Sequence, residues 1–430
     1  MLLGLLITYY LKRFDMTNTD KVYLSLIRDI LDHGVEKSTR AGDVYSVFGR
    51  QLRFDLKEGL PLLTTKKVFT KGIIHELLWF LQRPYNSHGS MNIEYLVRNG
   101  VHIWDDDAYR WFKQWVDEHI VKPANMDYGF FVCTNDDEKD KGAHLEYWIE
   151  GESKENDLEW LINISKEEFL ELVLQKVEIN TNIKKGLLIR ERYRFGDLGP
   201  IYGTQWRSFG SGIFKGEDQI QNIIDTLKTN PNDRRMLCIA FNPSFIELMA
   251  LPPCHVMFQF YTRELTNAER MKIFNERYMK GEIPQKYYDW FEEYSKGISD
   301  DEDVSMPTDG SNYDIADIPK YGLSCMFNMR SNDVCCGTPF NWVQYSILTH
   351  MIAHLVNMIP DELVYCVGDC HIYKNHVNGV MEQLQRNGSD IVPKLIIKRK
   401  VESIDDFKYD DFEIVDYHPD PPIKFQLNVG

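Results

Sequence analysis

The chain has 430 residues, of which 43% are hydrophobic and 13% aromatic, a composition that supports a packed core and excludes an intrinsically disordered protein. Its formal net charge of −16 argues against general affinity for nucleic acid or for membranes. A local cluster of arginines could still bind one small phosphate group. Eight cysteines show no spacing typical of secreted disulfide frameworks, so we expect a reducing, cytoplasmic setting.

The first 15 residues are predicted to be an extension outside the folded domain. Their apolar run, residues 2–10, is too short to span a bilayer. It has no basic residues before it and no small-residue cleavage site, so it makes a poor signal peptide. Translation starting at Met16 is a second interpretation that the sequence leaves open.

Three elements are predicted in the first hundred residues. Apolar residues at helical spacing predict a helix over 22–33, with Gly34 as its stop, and residues 44–56 alternate as a strand does. Residues 69–82 read as a strongly apolar helix that contains one carboxylate, Glu76. That side chain either turns to water or is a buried acid with a raised pKa.

Two polar blocks, at about 108–193 and 263–320, interrupt this pattern and are predicted to be insertions into one domain spanning 16–430. The first contains a charge run at 135–141 and a predicted helix pair over 158–177. In the second, residues 266–269 (TNAE) form a capping box that opens a helix to about Met279. Residues 299–303 and those that follow predict a loop.

Between the blocks, Cys254 follows two prolines and precedes an apolar run at 256–261 that predicts a buried strand. A thiol at the mouth of a rigid strand is how a nucleophilic cysteine would be presented. A small buried core cysteine is the other interpretation of this stretch.

The last hundred residues alternate strands and helices. The sequence predicts strands at 323–329 and 363–367, helices at 342–357 and from about 377 to 386, and a polar turn formed by 330–333 and 337–341. This order favours an α+β fold with one sheet packed by helices. Cys366, Cys370, His371 and His376 lack the paired spacing of zinc sites, so no metal is predicted.

Several segments together resemble the thymidylate synthases and the related pyrimidine-nucleotide hydroxymethylases. They occur in the family's order and cover the chain outside the two polar blocks. The segments are 48–54 (FGRQLRF), 75–81 (HELLWFL), 196–207 (GDLGPIYGTQWR), 251–255 (LPPCH), 330–334 (RSNDV) with 337–341 (GTPFN), 368–376 (GDCHIYKNH) and 393–400 (PKLIIKRK).

The resemblance implies a mixed sheet packed by helices, a homodimer that forms through the sheet, and a defined reaction. Cys254 would attack C6 of dUMP, and C5 would then take a one-carbon unit from 5,10-methylenetetrahydrofolate, which acts as co-substrate. Hydride transfer from the folate would give dTMP and dihydrofolate. The alternative outcome, 5-hydroxymethyl-dUMP with tetrahydrofolate, follows if water adds instead.

The resemblance also assigns the reacting groups. Glu76 would be the acid/base carboxylate, and Tyr202 would assist loss of the C5 proton. Asn341 would read N3 and O4 of the pyrimidine, which favours uracil over cytosine. For His255, a catalytic role and a purely structural one stay open.

The remaining assignments concern binding. Arg40, Arg330 and Ser331 would bind the phosphate, with Arg234 and Arg235 reaching in from the partner subunit. The predicted ribose residues are His371 and Tyr373, and the predicted folate residues are Lys66, Trp104, Asp333 and Gly337. Asp369 and His376 are read as scaffold, and Trp79, Trp206 and Trp342 as core.

This sequence departs from the family's pattern mainly around the closing lid. The loop at 40–43 is shorter and more acidic, Met329 replaces a glutamine, and Asp107 stands near the place of a second tryptophan. The tail, 425–430, is one residue longer than the family's. These changes leave the hydroxymethylase open. A relative that has lost catalysis and binds nucleotide or RNA is a third class, which the intact reacting residues and the acidic charge disfavour.

Overall fold

A six-stranded mixed sheet is the centre of the molecule. The computed structural model describes residues 16–85, 89–118, 129–134, 147–148, 160–182, 190–210, 216–296 and 310–428. The central sheet has the order β1-β2-β10-β9-β8-β7, in which β9 and β10 are parallel and the other neighbours are antiparallel. Its strands are β1 Val35–Thr39, β2 Gly42–Asp55, β7 Leu237–Ile239, β8 His255–Glu264, β9 Tyr321–Asp333 and β10 Ile359–Tyr373.

Helices cover one face of this sheet. Helix Asn18–His33 packs on β2 and β10, and helix Gly337–Leu355 packs on β9 and β10. Helix Thr70–Phe80 packs against Gly337–Leu355. The helices are α1 Asn18–His33, α2 Thr70–Phe80, α3 Glu94–Arg98, α4 Asp105–Val116, α5 Lys166–Leu174, α6 Tyr202–Arg207, α7 Gln219–Thr229, α8 Asn267–Met279, α9 Gln285–Lys296, α10 Ser311–Ile315, α11 Gly337–Leu355 and α12 Val377–Gln383.

Alternation along the strands decides which side chains meet the helices. In β9, Leu323, Cys325 and Phe327 are buried, whereas Ser324 and Met326 between them are only partly buried. On the face that the helices leave open, Phe48 is 81% exposed and Tyr261 is 67% exposed. The central sheet therefore has one packed face and one face that no described element covers.

The core contains the tryptophans that the sequence assigns to it. Trp79, Trp206 and Trp342 are fully buried. Trp342 lies edge-on to Phe54, with ring centroids 4.8 Å apart, and joins α11 to β2. α11 is buried almost all round because it lies between the sheet and α2.

Most predicted elements are confirmed. The helix predicted over 22–33 is α1, the strand predicted over 44–56 is β2, and the apolar helix over 69–82 is α2. β8 and the capping box at Thr266 are also confirmed, and α8 ends at Met279 as predicted.

Two predictions around the site were wrong. The segment 330–333, predicted as part of a polar turn, instead continues β9, and 337–341 begins α11. Pro339 is tolerated there because the N–H groups of the first helical residues have no acceptor within the helix. The strand predicted over 363–367 is β10, which does not end at 367. It runs through Gly368, where an added Cβ would lie 2.8 Å from the carbonyl oxygen of Arg330, so the two strands approach closely there.

Of the two predicted insertions, the first packs into the main core through residues such as Phe112, Phe169 and Val173. The first carries a four-stranded sheet of order β4-β3-β5-β6, with β3 Gly129–Thr134, β4 Tyr147–Trp148, β5 Val177–Asn182 and β6 Arg190–Arg194. The second has its own small core, which includes Tyr287 and Ile318. A last strand pair is β11 Lys394–Ile397 with β12 Phe412–Val415. Residues 1–15, the charge run 135–141 and the predicted loop at 299–303 lie outside the described residues.

Within the described part of the chain, none of the helices is long and apolar enough to cross a membrane.

Candidate active site

Cys254 sits at the start of β8, where backbone contacts fix the position of its thiol. Its N–H donates to the Tyr202 hydroxyl at 2.8 Å. Its carbonyl accepts from the N–H of Arg330 at 2.9 Å, which ties the cysteine to β9. The residue is only partly buried. A cysteine whose backbone is held on both sides while its side chain stays only partly buried suits the presentation of a nucleophile.

Arg330 lies beside this thiol and bonds the two prolines before it. Its guanidinium donates to the carbonyls of Pro253 at 2.9 Å and Pro252 at 2.8 Å. Burial raises the pKa of Cys254, the charge of Arg330 lowers it, and the carboxylate of Asp107 raises it. Arg330 is thus the charged neighbour that favours the reactive thiolate.

Glu76 is a buried carboxylate with two hydrogen-bond donors. Trp104 Nε1 donates to one oxygen at 2.7 Å, and Gln344 Nε2 donates to the other at 2.8 Å. Burial raises the pKa of Glu76 to about 7, although both hydrogen bonds lower it. The buried-acid interpretation is therefore the one that the structure supports. A carboxyl group of this pKa can accept or donate a proton near neutral pH.

Asn341 is held by a chain of amides and hydroxyls. Its Nδ2 donates to Asn332 Oδ1 at 3.2 Å, and Asn332 in turn donates to the Tyr365 hydroxyl at 2.9 Å. Gly337 makes room for this contact, since a Cβ there would lie 2.4 Å from Asn332 Oδ1. The orientation of the Asn341 amide is therefore set before any ligand binds.

His255 is buried among aromatic rings. Its Nδ1 lies 3.1 Å from the Tyr345 hydroxyl, and burial lowers its pKa to about 3. The imidazole is consequently neutral at physiological pH and is not a general acid there. Tyr202, whose ring centroid is 5.0 Å away, has a pKa raised well above 10 by burial, so its hydroxyl stays protonated.

A second polar group lies where β9 and β10 end. Asp333 accepts from the N–H of Cys335 at 2.8 Å, and its carboxylate lies 3.8 Å from His376 Nδ1. Burial alone would raise the pKa of Asp333, but His376 and that N–H lower it overall. His371 and Tyr373 lie beside them, with ring centroids 5.2 Å apart.

An adjoining cavity of about 500 Å³ runs from Glu76 and Asn341 to the C-terminal tail. Lys66 lies in its wall, 5% exposed, where its ammonium donates to the Cys335 carbonyl and lies 4.6 Å from the Phe425 ring centroid. Burial lowers the pKa of Lys66. The neighbouring Lys67 also lines the cavity and is exposed.

The other residues predicted to bind phosphate do not all lie close together within one chain. Arg40 lies in the turn between β1 and β2; burial raises the pKa of Asp107, and the charge of Arg40 offsets part of that rise. Ser331 lies on β9, opposite Asp369 of β10. Arg234 and Arg235 are exposed just before β7, at the far edge of the sheet.

Three residues of the site are missing from the sequence prediction: Gln344, Tyr345 and Asn332. Helical spacing could have indicated two of them, because positions three and four after Asn341 share its helix face. Asn332 gave no such signal, since its segment was predicted as a turn.

The fold and the site fit one class of protein: an enzyme with a partly buried thiol and a buried carboxylate of raised pKa near a ligand-sized cavity. The family model described as thymidylate synthase matches residues 21–277 and 311–429. The chain belongs to the thymidylate synthase family, whose members are one-carbon transferases.

Similar proteins support this placement. The chain is 34% identical over 416 residues to thymidylate synthase of Homo sapiens, covering 95% of this chain and 90% of the human protein. It is 34% identical over 408 residues to thymidylate synthase of Mycoplasma mobile, covering 95% and 99% respectively. The values for thymidylate synthase of Candida albicans are 35% over 428 residues, 95% and 98%. These comparisons favour thymidylate synthase activity over the hydroxymethylase alternative.

Proposed function

We propose that this chain converts dUMP and 5,10-methylenetetrahydrofolate to dTMP and dihydrofolate through a covalent adduct on Cys254. The observation that carries the proposal is the placement of Cys254, Tyr202 and Glu76. Tyr202 contacts the backbone of Cys254, and its ring lies 6.0 Å from that of Trp104, which bonds Glu76. A nucleophile and an acid/base group are thus connected through one wall of the site.

The proposed steps assign one task to each group. The Cys254 thiolate adds to C6 of the pyrimidine, and the electron pair released at C5 attacks the methylene carbon of the folate. Glu76 acts through water as acid and base, and Tyr202 assists loss of the C5 proton. As the C5 proton is lost, the bond between the methylene carbon and the folate nitrogen breaks, which leaves an exocyclic methylene on C5 and releases tetrahydrofolate within the site. Hydride from that folate then reduces the methylene, and the thiolate leaves C6 by elimination. Since Arg330 favours the thiolate, it assists both the addition and the departure.

Asn341 is proposed to select uracil. An amide can donate to O4 and accept from N3–H, whereas cytosine presents the opposite pattern at these two positions. Its contact with Asn332 orients the amide in advance and so lowers the entropy that binding must remove.

The phosphate site is proposed to need two subunits. Arg40, Arg330 and Ser331 come from one chain, and Arg234 and Arg235 from the partner. Two observations support a homodimer: the uncovered sheet face, with Phe48 and Tyr261 exposed, and the exposure of Arg235, whose side chain is 88% accessible.

The cavity beside Glu76 is proposed to hold the folate. Asp333 would bind the pterin, with Trp104 and Gly337 lining the pocket. Lys66 is buried under Phe425, so Lys67 is the exposed ammonium available to the glutamate tail.

The C-terminal tail favours hydride transfer over water addition. The carbonyl of Gln426 lies 2.7 Å from His376 Nε2, and the Phe425 ring packs 5.1 Å from the ring of His376. A tail held over the cavity excludes water from the exocyclic methylene.

Trapping with 5-fluoro-dUMP tests the covalent step. Fluorine at C5 cannot leave as a proton does, so the adduct should accumulate with the folate as one nucleotide per Cys254, seen by intact mass. Cys254→Ser should form none, and Cys366→Ser, which removes another partly buried thiol, should trap normally. Absence of the adduct in the unaltered protein would favour a non-catalytic binding protein instead.

A further inference from the structure

Three side chains of different types converge where the folate cavity meets the tail. Single ligand atoms of Asp333, Cys336 and His376 all lie within 4.8 Å of one another. The Asp333 carboxylate and His376 Nδ1 lie 3.8 Å apart. Cys336 also lines the cavity, so the group is reachable from the folate side.

His376 presents a buried ring nitrogen to this group. Its side chain is 1% exposed, and its Nδ1 has no hydrogen-bond partner among the described residues. The other ring nitrogen, Nε2, is already in contact with the tail, 2.7 Å from the Gln426 carbonyl oxygen and 3.2 Å from the Asn428 amide nitrogen. Nδ1 is the nitrogen that faces the carboxylate of Asp333.

A cation satisfies this arrangement. Thiolate, imidazole and carboxylate are together the ligand set of zinc, which binds them at about 2.0 to 2.3 Å. Ligand atoms of a tetrahedral site are roughly 3.3 to 3.8 Å apart, so side-chain movements of about 1 Å would complete it. Two of the ligands are already oriented by other contacts. His376 is held through Nε2 by the Gln426 carbonyl, and Asp333 accepts from the N–H of Cys335.

We propose that Asp333, Cys336 and His376 bind one Zn²⁺ ion, and that this ion inhibits the enzyme by competing with the folate. Binding forms a bond between zinc and the Cys336 sulfur and releases the thiol proton to solvent. The ion holds the carboxylate of Asp333, which is then unavailable to the pterin; this second half rests on the proposed function.

Cobalt titration tests the site without requiring activity. Full-length Cys254→Ser protein, which lacks the other thiol of the reaction centre, is titrated with Co²⁺ while thiolate-to-cobalt and visible absorption are recorded. One equivalent should give both bands, and Zn²⁺ should remove them. A protein without a thiolate band would overturn the proposal.

Matched variants locate the ligands. In the same background, Cys336→Ser should weaken cobalt binding at least tenfold, whereas Cys335→Ser, which changes the adjacent thiol, should not. His376→Gln is a second ligand variant and should also weaken binding. Unchanged binding in variants of Cys336 and His376 that retain the circular dichroism of the parent would contradict the assignment.

Steady-state kinetics test the inhibition. In protein with Cys254 intact, Zn²⁺ should raise the apparent KM for methylenetetrahydrofolate with little change in kcat. Cys336→Ser, compared with its own metal-free rate, should need at least tenfold more zinc than Cys335→Ser. Equal inhibition of the two variants would overturn the proposed competition. Metal-free protein without activity would refute the proposed function instead, because the cobalt titration still reports on the site.

Discussion

Glu76 shows how one buried residue couples chemistry to pH. Its pKa is raised to about 7 by burial, from an ordinary value near 4.5. Between pH 4.5 and about 7, Glu76 keeps its proton in the folded protein but has lost it in the unfolded chain. The free energy of unfolding therefore falls as pH rises through this range. Above the folded pKa the loss is complete, on the order of a few kcal/mol.

We predict that Glu76→Gln removes this dependence, because glutamine does not titrate. Urea unfolding at several pH values should show a flatter stability curve between pH 4.5 and 7 than the unaltered protein gives. The same variant should lose roughly 10²- to 10⁴-fold in kcat, since the acid/base group is gone. Parallel stability curves would show that Glu76 ionises as freely when folded as when unfolded.

Gly337 provides a second test at this scale. The Asn332 amide leaves no room for a Cβ at position 337. Gly337→Ala should therefore displace that amide and disturb the hydrogen bond that orients Asn341. We expect dUMP binding, measured by calorimetry, to weaken about tenfold or more, equivalent to about 1.4 kcal/mol. In the double variant with Asn332→Ala, the glycine substitution should have little further effect. Equal losses in both backgrounds would refute the proposed clash.

The reacting side chains could be predicted from sequence because each lies in a compact motif. Cys254 follows two prolines, and Glu76 is the one carboxylate in an apolar helix. Their supporting partners could not be predicted as readily. The bond from Gln344 to Glu76 joins residues separated by 268 positions, and such contacts depend on how α2 packs against α11.

At the scale of elements, α11 joins the site to the core. Its first turn carries Asn341, and the next residue, Trp342, is fully buried against Tyr23 and Phe54. Trp342→Ala should lower the free energy of unfolding by about 3 to 5 kcal/mol, because a large cavity replaces the indole. Trp160→Ala, at a position 43% exposed, should cost far less. Equal losses in denaturant unfolding would contradict the role given to α11.

Errors at this scale have a common cause. The segments 330–333 and 337–341 contain polar and turn-forming residues, to which the proposed function gives ligand-binding roles. Those residues hide the strand and the helix that contain them. β10 was likewise predicted too short, since Gly368 reads as a stop. There, the close approach of the β9 backbone requires glycine without ending the strand.

At the scale of the whole molecule, the open sheet face is proposed to form the homodimer. Phe48→Glu would place a charge on that face, and we expect monomers in sedimentation velocity together with loss of activity, because the partner's arginines no longer reach the phosphate. Met279→Glu alters an equally exposed apolar residue on α8, 85% accessible, and should leave the dimer intact. A monomer with full activity would refute the shared site.

The family could be predicted from sequence because seven groups of residues occur in one order. The organisation of the two insertions could not, and their limits stay a prediction. The family model passes over residues 278–310, inside the second of them. These blocks are rich in polar residues, and no motif in them indicates their overall organisation.

The identity of the product tests the central claim most directly. Purified protein is incubated with dUMP and 5,10-methylenetetrahydrofolate, the nucleotide is identified by mass, and dihydrofolate is followed by absorbance. We predict dTMP and dihydrofolate in equal amounts, because the tail that bonds His376 keeps water from the methylene intermediate. Formation of 5-hydroxymethyl-dUMP with tetrahydrofolate, or no turnover of dUMP, would contradict this account.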